Sequence, residues 1–106
     1  MIELDKKNFD EEITEYKGLA FVDYWSQSCE PCKALRPDIE KLAEKYGDKI
    51  KFASFDIAKG RRVAIKQGVL GLPTLIVYKD GEKQEEINAD NANVEHIEEV
   101  LKKFYA

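Results

Sequence analysis

Apolar and polar positions follow two different rhythms along this chain. Short runs rich in β-branched and aromatic residues predict strands, and runs whose apolar residues recur every three or four positions predict helices. Because the two kinds of run alternate, the pattern is typical of an α/β fold. The predicted strands are Ile2 to Leu4, Leu19 to Trp25, Ile50 to Ile57, Thr74 to Tyr78 and Lys83 to Ile87.

The last two predicted strands are separated by Asp80 and Gly81. An Asp-Gly pair between apolar runs favours a two-residue hairpin turn, because both residues tolerate a positive φ. We therefore expect a central mixed sheet that ends in an antiparallel hairpin.

Four helices are predicted to flank this sheet. Pro37 falls inside the second helix, where we expect a kink because proline lacks a backbone donor and clashes with the preceding turn. The predicted helices are Asn8 to Glu15, Cys29 or Glu30 to Tyr46, Arg61 to Lys66, and a last helix that follows Asn91 or Asn93 and carries an apolar stripe from Val94 to Phe104.

Composition narrows the classes of protein that the pattern allows. With 106 residues, 43% hydrophobic and 36% charged, the chain suits one globular domain over residues 1–106. A net charge of −4 argues against a nucleic acid or an anionic membrane as the main partner. The first residues show no basic segment followed by a long apolar one, and no run approaches the roughly 18 residues of a membrane span. We therefore expect a cytoplasmic monomer.

The two cysteines of the chain, Cys29 and Cys32, follow directly on a predicted strand. At this spacing a small disulfide ring can close and reopen, which indicates a dithiol/disulfide switch. In a reducing compartment such a pair favours catalysis over a permanent crosslink. Zinc could use the same spacing, but His96 is the one further nitrogen or sulfur ligand, and a closed zinc site needs about four. We expect no metal and no bound cofactor.

Several motifs, in order and over nearly the whole chain, resemble those of the thioredoxin family. Phe21 to Trp25 resembles the strand before the active site, and Cys-Glu-Pro-Cys-Lys at 29–33 resembles the redox motif. Pro37 resembles the helix kink, Gly71 to Thr74 the cis-proline loop, and Tyr78 to Gly81 the following hairpin. The resemblance implies the thioredoxin fold, with both cysteines at a helix N-terminus.

The resemblance also implies how the two cysteines divide the reaction. Cys29 would be the nucleophile, because unpaired N–H groups and the helix dipole stabilise a thiolate at a helix N-terminus. Cys32 would then attack Cys29 and resolve the mixed disulfide. Pro31 suits the first helical turn, and its fixed φ would hold the two sulfurs close.

Asp23 is the third candidate catalytic residue. It lies in an otherwise apolar strand, where burial would raise its pKa. In thioredoxins the matching aspartate lies behind the second cysteine, so Asp23 would be the general base for Cys32. The alternative is that Asp23 points into solvent while Val22 and Tyr24 are buried, which strand alternation also permits.

The resemblance further implies a cis Leu72–Pro73 bond that faces the cysteines. Backbone groups of Leu72 would bind an extended substrate segment in the manner of an added strand. Trp25, Gly71 and the surface around Pro31 would complete an apolar docking groove. The alternative is an ordinary loop proline at the start of a strand.

Three positions depart from the family pattern. Ser28 stands where thioredoxins usually have tryptophan, Glu30 where they have glycine, and Ser54 where they commonly have lysine. The charge of Glu30 would disfavour the Cys29 thiolate and make the protein more reducing, unless it points into water and is screened. Without a lysine at position 54, Asp23 should stay protonated to higher pH.

The predicted function is reduction of protein disulfides, with electrons supplied by a flavin-containing thioredoxin reductase. The variant residues around Cys29 make a specialised reductase possible, as in thioredoxins of some anaerobic bacteria. One alternative is a module that binds partners through the Pro73 groove without electron transfer. A disulfide oxidase or isomerase is another, which the potential of the cysteine pair would distinguish.

Overall fold

The computed structural model describes residues 1–105, and these form one five-stranded sheet with the strand order β1-β3-β2-β4-β5. Strands β1, β3 and β2 run parallel, whereas β4 and β5 run antiparallel to their neighbours. The predicted mixed sheet with a terminal hairpin is confirmed, and no strand end differs from its prediction by more than one residue. The strands are β1 (Ile2–Leu4), β2 (Leu19–Trp25), β3 (Ile50–Asp56), β4 (Thr74–Lys79) and β5 (Glu82–Ile87).

Helices cover both faces of the sheet. Helices α1 (Glu30–Tyr46) and α3 (Val94–Tyr105) pack on one face, and α2 (Arg61–Lys66) packs on the other. The central strand β2 is therefore buried on both sides: Phe21 faces α1 and α3, and Val22 faces the opposite layer. None of the helices in residues 1–105 has the length and apolar character needed to cross a membrane.

The first of the four predicted helices is much shorter than expected. It is a single wide turn, Asp10–Thr14, whose closing hydrogen bond joins the N–H of Glu15 to the carbonyl of Asp10, five residues back, at 2.8 Å. Just before it, the Asp5 carboxylate accepts a hydrogen bond from the N–H of Asn8 at 3.0 Å. This contact is an N-cap and favours a helix start after Asp5, so the departure from a regular helix comes later, where the N–H of Glu15 bonds five residues back instead of four.

The hairpin between β4 and β5 has the predicted two-residue turn. Asp80 and Gly81 have φ values of 52° and 84°, and the flanking residues Lys79 and Glu82 pair with each other. A Cβ atom on Gly81 would lie 2.0 Å from the carbonyl oxygen of Thr14. Glycine is therefore needed at position 81 both for the left-handed backbone and for this close approach.

Replacing Gly81 with alanine should lower the free energy of unfolding by about 2 kcal/mol or more, because a strained left-handed residue alone costs about 1–3 kcal/mol. Gly71→Ala is the matched control, since no atom lies within 4 Å of a Cβ at that position. Urea unfolding of the two variants measures the difference. Equal stability of the two variants would contradict the turn geometry.

Candidate active site

The segment that leads to the cysteines and the loop that contains Pro73 leave the sheet at the same end. Because β4 runs antiparallel to β2, its first residue, Thr74, lies opposite Tyr24 near the end of β2. Trp25 then continues toward Cys29, while Pro73 immediately precedes Thr74. The strand register, rather than any local pattern, places these two segments side by side.

Cys29 and Cys32 lie at the start of α1 and form a disulfide, with their Cα atoms 5.3 Å apart. Cys29 is the N-cap residue, and its Sγ accepts a hydrogen bond from the backbone N–H of Cys32 at 3.2 Å. Pro31 occupies the first turn, as predicted. Cys29 is half-buried, whereas Cys32 is only 3% exposed. A partner therefore reaches the sulfur of Cys29 first.

Asp23 is buried in the middle of β2 and is 2% exposed. Burial raises the pKa of its carboxyl to about 6, against a smaller opposing effect of the Arg36 guanidinium. Its Oδ1 receives no hydrogen bond from any group in the described part of the chain. The solvent-facing alternative is wrong, because both faces of β2 are covered and Val22 and Tyr24 are buried as well.

Asp23 lies on the face of the sheet that α1 covers. It alternates with Val22 and so shares the face of Phe21, which clusters with Leu35 and Ile39 of α1. Its neighbour in register on β3 is Ser54, itself 3% exposed. Position 54 is therefore directly beside the carboxyl, and it brings no positive charge there.

Arg36 is the basic residue near Asp23 that sequence reasoning missed. It lies on α1, is half-buried, and holds its guanidinium carbon 5.0 Å from the centre of the Trp25 ring. The signal was present in the sequence, because Arg36 follows Cys32 by four residues and so shares its helix face.

The loop before Pro73 is bordered by concave surface on both sides. The Leu72–Pro73 bond is cis, as predicted, and the Thr74 hydroxyl donates a hydrogen bond to the Gly71 carbonyl at 2.6 Å. Two cavities of about 420 Å³ each flank the loop, and Leu70, Gly71 and Leu72 line both. Leu70 is 95% exposed and was not among the predicted contact residues. An apolar side chain directly before a glycine of this loop was the available signal.

The other two predicted docking residues line separate cavities. Trp25 borders a cavity of about 150 Å³ together with Arg36 and Ser54. Pro31 borders one of about 370 Å³ that reaches the start of α3. Substrate contact by these residues stays a prediction.

Glu30 points into solvent. Its side chain is 84% exposed, and its Oε1 lies 3.7 Å from the Nζ of Lys33. Solvent and the neighbouring cation both weaken its field at Cys29, which favours the screened alternative. Within residues 1–105, no three side chains of the types His, Cys, Asp and Glu are arranged to hold a metal ion.

All residues of the candidate site lie in the part of the chain that matches one protein family. The family model described as Thioredoxin matches residues 1–103. The thioredoxin of Acetoanaerobium sticklandii is 46% identical over 104 residues, which are 98% of this chain and 99% of the relative. That of Peptoclostridium acidaminophilum is 47% identical over 103 residues, 97% and 94% of the two chains. That of Bacillus subtilis is 37% identical over 82 residues, 77% of each chain.

The raised pKa of Asp23 predicts a pH-dependent gain in stability for Asp23→Asn. The carboxyl has a pKa near about 3.9 when unfolded and about 6 when folded. Between these values the folded state holds more protons, so stability falls as the pH rises. The difference in stability between the variant and the native protein should therefore move in favour of asparagine by about 2 kcal/mol from pH 4 to pH 7.

Urea unfolding at the two pH values measures this change. Asp48→Asn is the matched control, because Asp48 is exposed and its replacement should show no such pH-dependent gain. A stability difference for Asp23→Asn that stays constant with pH would contradict the raised pKa.

Proposed function

The chain belongs to the thioredoxin family and is a thiol-disulfide oxidoreductase, and we propose that it works as a cytoplasmic reductase of protein disulfides. Its electrons would come from a flavin-dependent thioredoxin reductase and pass to target proteins. The main support for Cys29 as the attacking cysteine is the unequal exposure of the pair. Cys29 is half-buried at the helix start, whereas Cys32 is only 3% exposed.

The first step uses the reduced pair. The Cys29 thiolate attacks a target disulfide, one target sulfur leaves as a thiolate, and a mixed disulfide forms. The start of α1 supports this step, because the N–H of Cys32 points at the Cys29 sulfur from 3.2 Å and the helix dipole favours negative charge there.

The second step returns the pair to the disulfide seen in the structure. Cys32 gives up its proton and attacks the sulfur of Cys29, and the second target sulfur leaves as a thiolate. Overall, two electrons pass from the cysteine pair to the target. Asp23 is the proposed acceptor of the Cys32 proton, since a carboxyl with a pKa of about 6 is mainly ionised near neutral pH yet basic enough for the task.

The surface around Cys29 is proposed to select the reductase. Ser28 and Glu30 are both exposed on either side of Cys29. A hydroxyl and a carboxylate at these positions present a polar surface where the family usually has tryptophan and glycine. A reductase adapted to that polar surface would dock here in preference to one that needs an aromatic contact.

Substitution of each cysteine should separate their roles. Reduced Cys32→Ser should accumulate a mixed disulfide with insulin, because the more accessible thiol of Cys29 remains and the resolving thiol is gone. Cys29→Ser should accumulate none, because the remaining thiol is buried. Non-reducing electrophoresis with mass spectrometry detects the adduct, and native protein should turn over without accumulating it. Trapping by Cys29→Ser would reverse the assignment, and full function in both variants would point to a redox-independent binding module.

Removal of the Glu30 charge should make the protein slightly less reducing. Because the carboxylate is exposed and lies beside Lys33, we expect Glu30→Gln to raise the reduction potential by about 10 mV or less. For comparison, an unscreened charge that changed the pKa of the Cys29 thiol by one full unit would change the potential by about 30 mV. Equilibration against dithiol buffers measures the potential. Lys33→Gln is the matched control and should shift the potential in the opposite direction.

A rise of about 30 mV or more for Glu30→Gln would show that the Glu30 charge is not screened. A fall in the potential would show that the charge acts in the opposite direction to the one expected. For the native pair a potential near about −270 mV is expected of a reductase. A native value near about −120 mV would instead favour the disulfide oxidase.

A further inference from the structure

The buried carboxyl of Asp23 ends a polar row that crosses three parallel strands. Glu3 of β1 is in register with Ser54 of β3, and Ser54 is in register with Asp23 of β2. Residues in register on neighbouring strands point to the same face of a sheet, so all three belong to the face on which α1 packs. The row begins at an exposed side chain and ends at a buried one.

A small cavity accompanies this row. Its volume is about 150 Å³, and its lining includes Glu3, Ser54, Trp25 and Arg36. The first two residues come from the polar row, and the last comes from the helix above it. The buried end of the row is therefore close to a polar space that a positive side chain borders.

Arg36 is held in a defined place at this cavity. Its guanidinium carbon lies 5.0 Å from the centre of the Trp25 ring, a separation at which a cation is attracted to an aromatic face. Trp25 is two residues beyond Asp23 on the same face of β2. The arginine that stacks on Trp25 is thus kept on the side of the sheet to which the carboxyl points, and its positive charge lowers the pKa of Asp23 against the larger effect of burial.

Among the charged groups around Asp23, Arg36 is the cation that acts on its carboxyl. This residue comes from α1, and β4 presents apolar Leu75 in register. The cavity adds the acidic side chains of Glu3 and Asp56 and the exposed side chain of Lys59. On α3, the residues buried against this face are Ile97, Val100 and Leu101.

We propose that Arg36, fixed over Trp25, is a positioning residue for disulfide exchange, because its charge favours the ionised form of Asp23 that accepts the proton of Cys32. The proton moves from the Cys32 thiol to the Asp23 carboxylate, and the resulting thiolate attacks Cys29. This inference rests on the proposed function of Asp23 as the proton acceptor. Arg36 supplies from the helix the positive charge that Ser54 does not supply from the sheet.

The test measures the titration of Asp23 by carbon NMR of its carboxyl group in the disulfide form. Arg36→Met keeps an apolar stem over Trp25 and removes the charge, so the midpoint should rise by about half a pH unit or more. Arg36→Lys should keep most of the native midpoint. Ser54→Lys added to Arg36→Met should lower the midpoint again, because a cation returns beside the carboxyl. Arg62→Met is the control for net charge, since Arg62 is exposed on α2.

The second measurement is the pH profile of insulin reduction under conditions in which resolution limits the rate. In Arg36→Met the rise in rate with pH should move to higher pH by the same amount as the NMR midpoint, while the rate on the high-pH plateau stays unchanged. A purely structural role for Arg36 would lower the rate at every pH. The proposal would be overturned if the Asp23 midpoint in Arg36→Met stayed unchanged, or if it moved equally in Arg62→Met. It would also be overturned if the pH profile of reduction did not move with the midpoint.

The two readouts keep this proposal distinct from the proposed function. The NMR titration requires no turnover, so a native protein that fails to reduce insulin overturns the reductase function without affecting the measured midpoint. An active native protein whose Asp23 midpoint is the same with and without Arg36 overturns only the role of Arg36. If Arg36→Met does not fold, Arg36→Gln provides the same removal of charge and is judged by the same midpoint.

Discussion

The burial of β2 on both faces is the constraint on which the rest of this structure depends. The strand pairs with β3 on one side and β4 on the other, and helices cover it above and below. Its apolar side chains join the two halves of the core. Its last residue leads directly to the cysteines, and its partner β4 brings the cis-proline loop to the same end. The site is therefore built on the central, most fully buried strand of the sheet.

A carboxyl in the middle of such a strand lowers the stability of the fold but provides a group that can accept a proton. Ionised Asp23 disfavours folding, because the burial that raises its pKa to about 6 acts against the charged form. A cost of about 3 kcal/mol near neutral pH is a substantial part of the roughly 5–15 kcal/mol that stabilises a domain. An apolar residue would avoid that cost but could not accept a proton. Arg36 lowers the cost in part, because its positive charge acts against the effect of burial on the pKa.

Exposure divides the remaining residues of the site between chemistry and partner choice. Cys32 and Asp23 are buried, so their surroundings are set by this chain alone. Glu30 and Leu70 are largely exposed and lie next to the reacting sulfur or the cis-proline loop. Both side chains are accessible to a partner protein. The proposed chemistry thus depends on the first group, and the proposed choice of reductase or target depends on the second.

Local rules predicted most of this fold from the order of residues alone. The strand periodicity, the Asp80-Gly81 turn and the cysteine-capped start of α1 each depend on near neighbours in the chain, and the family resemblance added the cis bond at Pro73. Long-range contacts decided the rest. Alternation along β2 allowed Asp23 to face either way, and its burial followed from strands and helices far away in sequence. The same is true of Arg36 over Trp25, because only the packing of α1 on the sheet brings a helix side chain to that cavity.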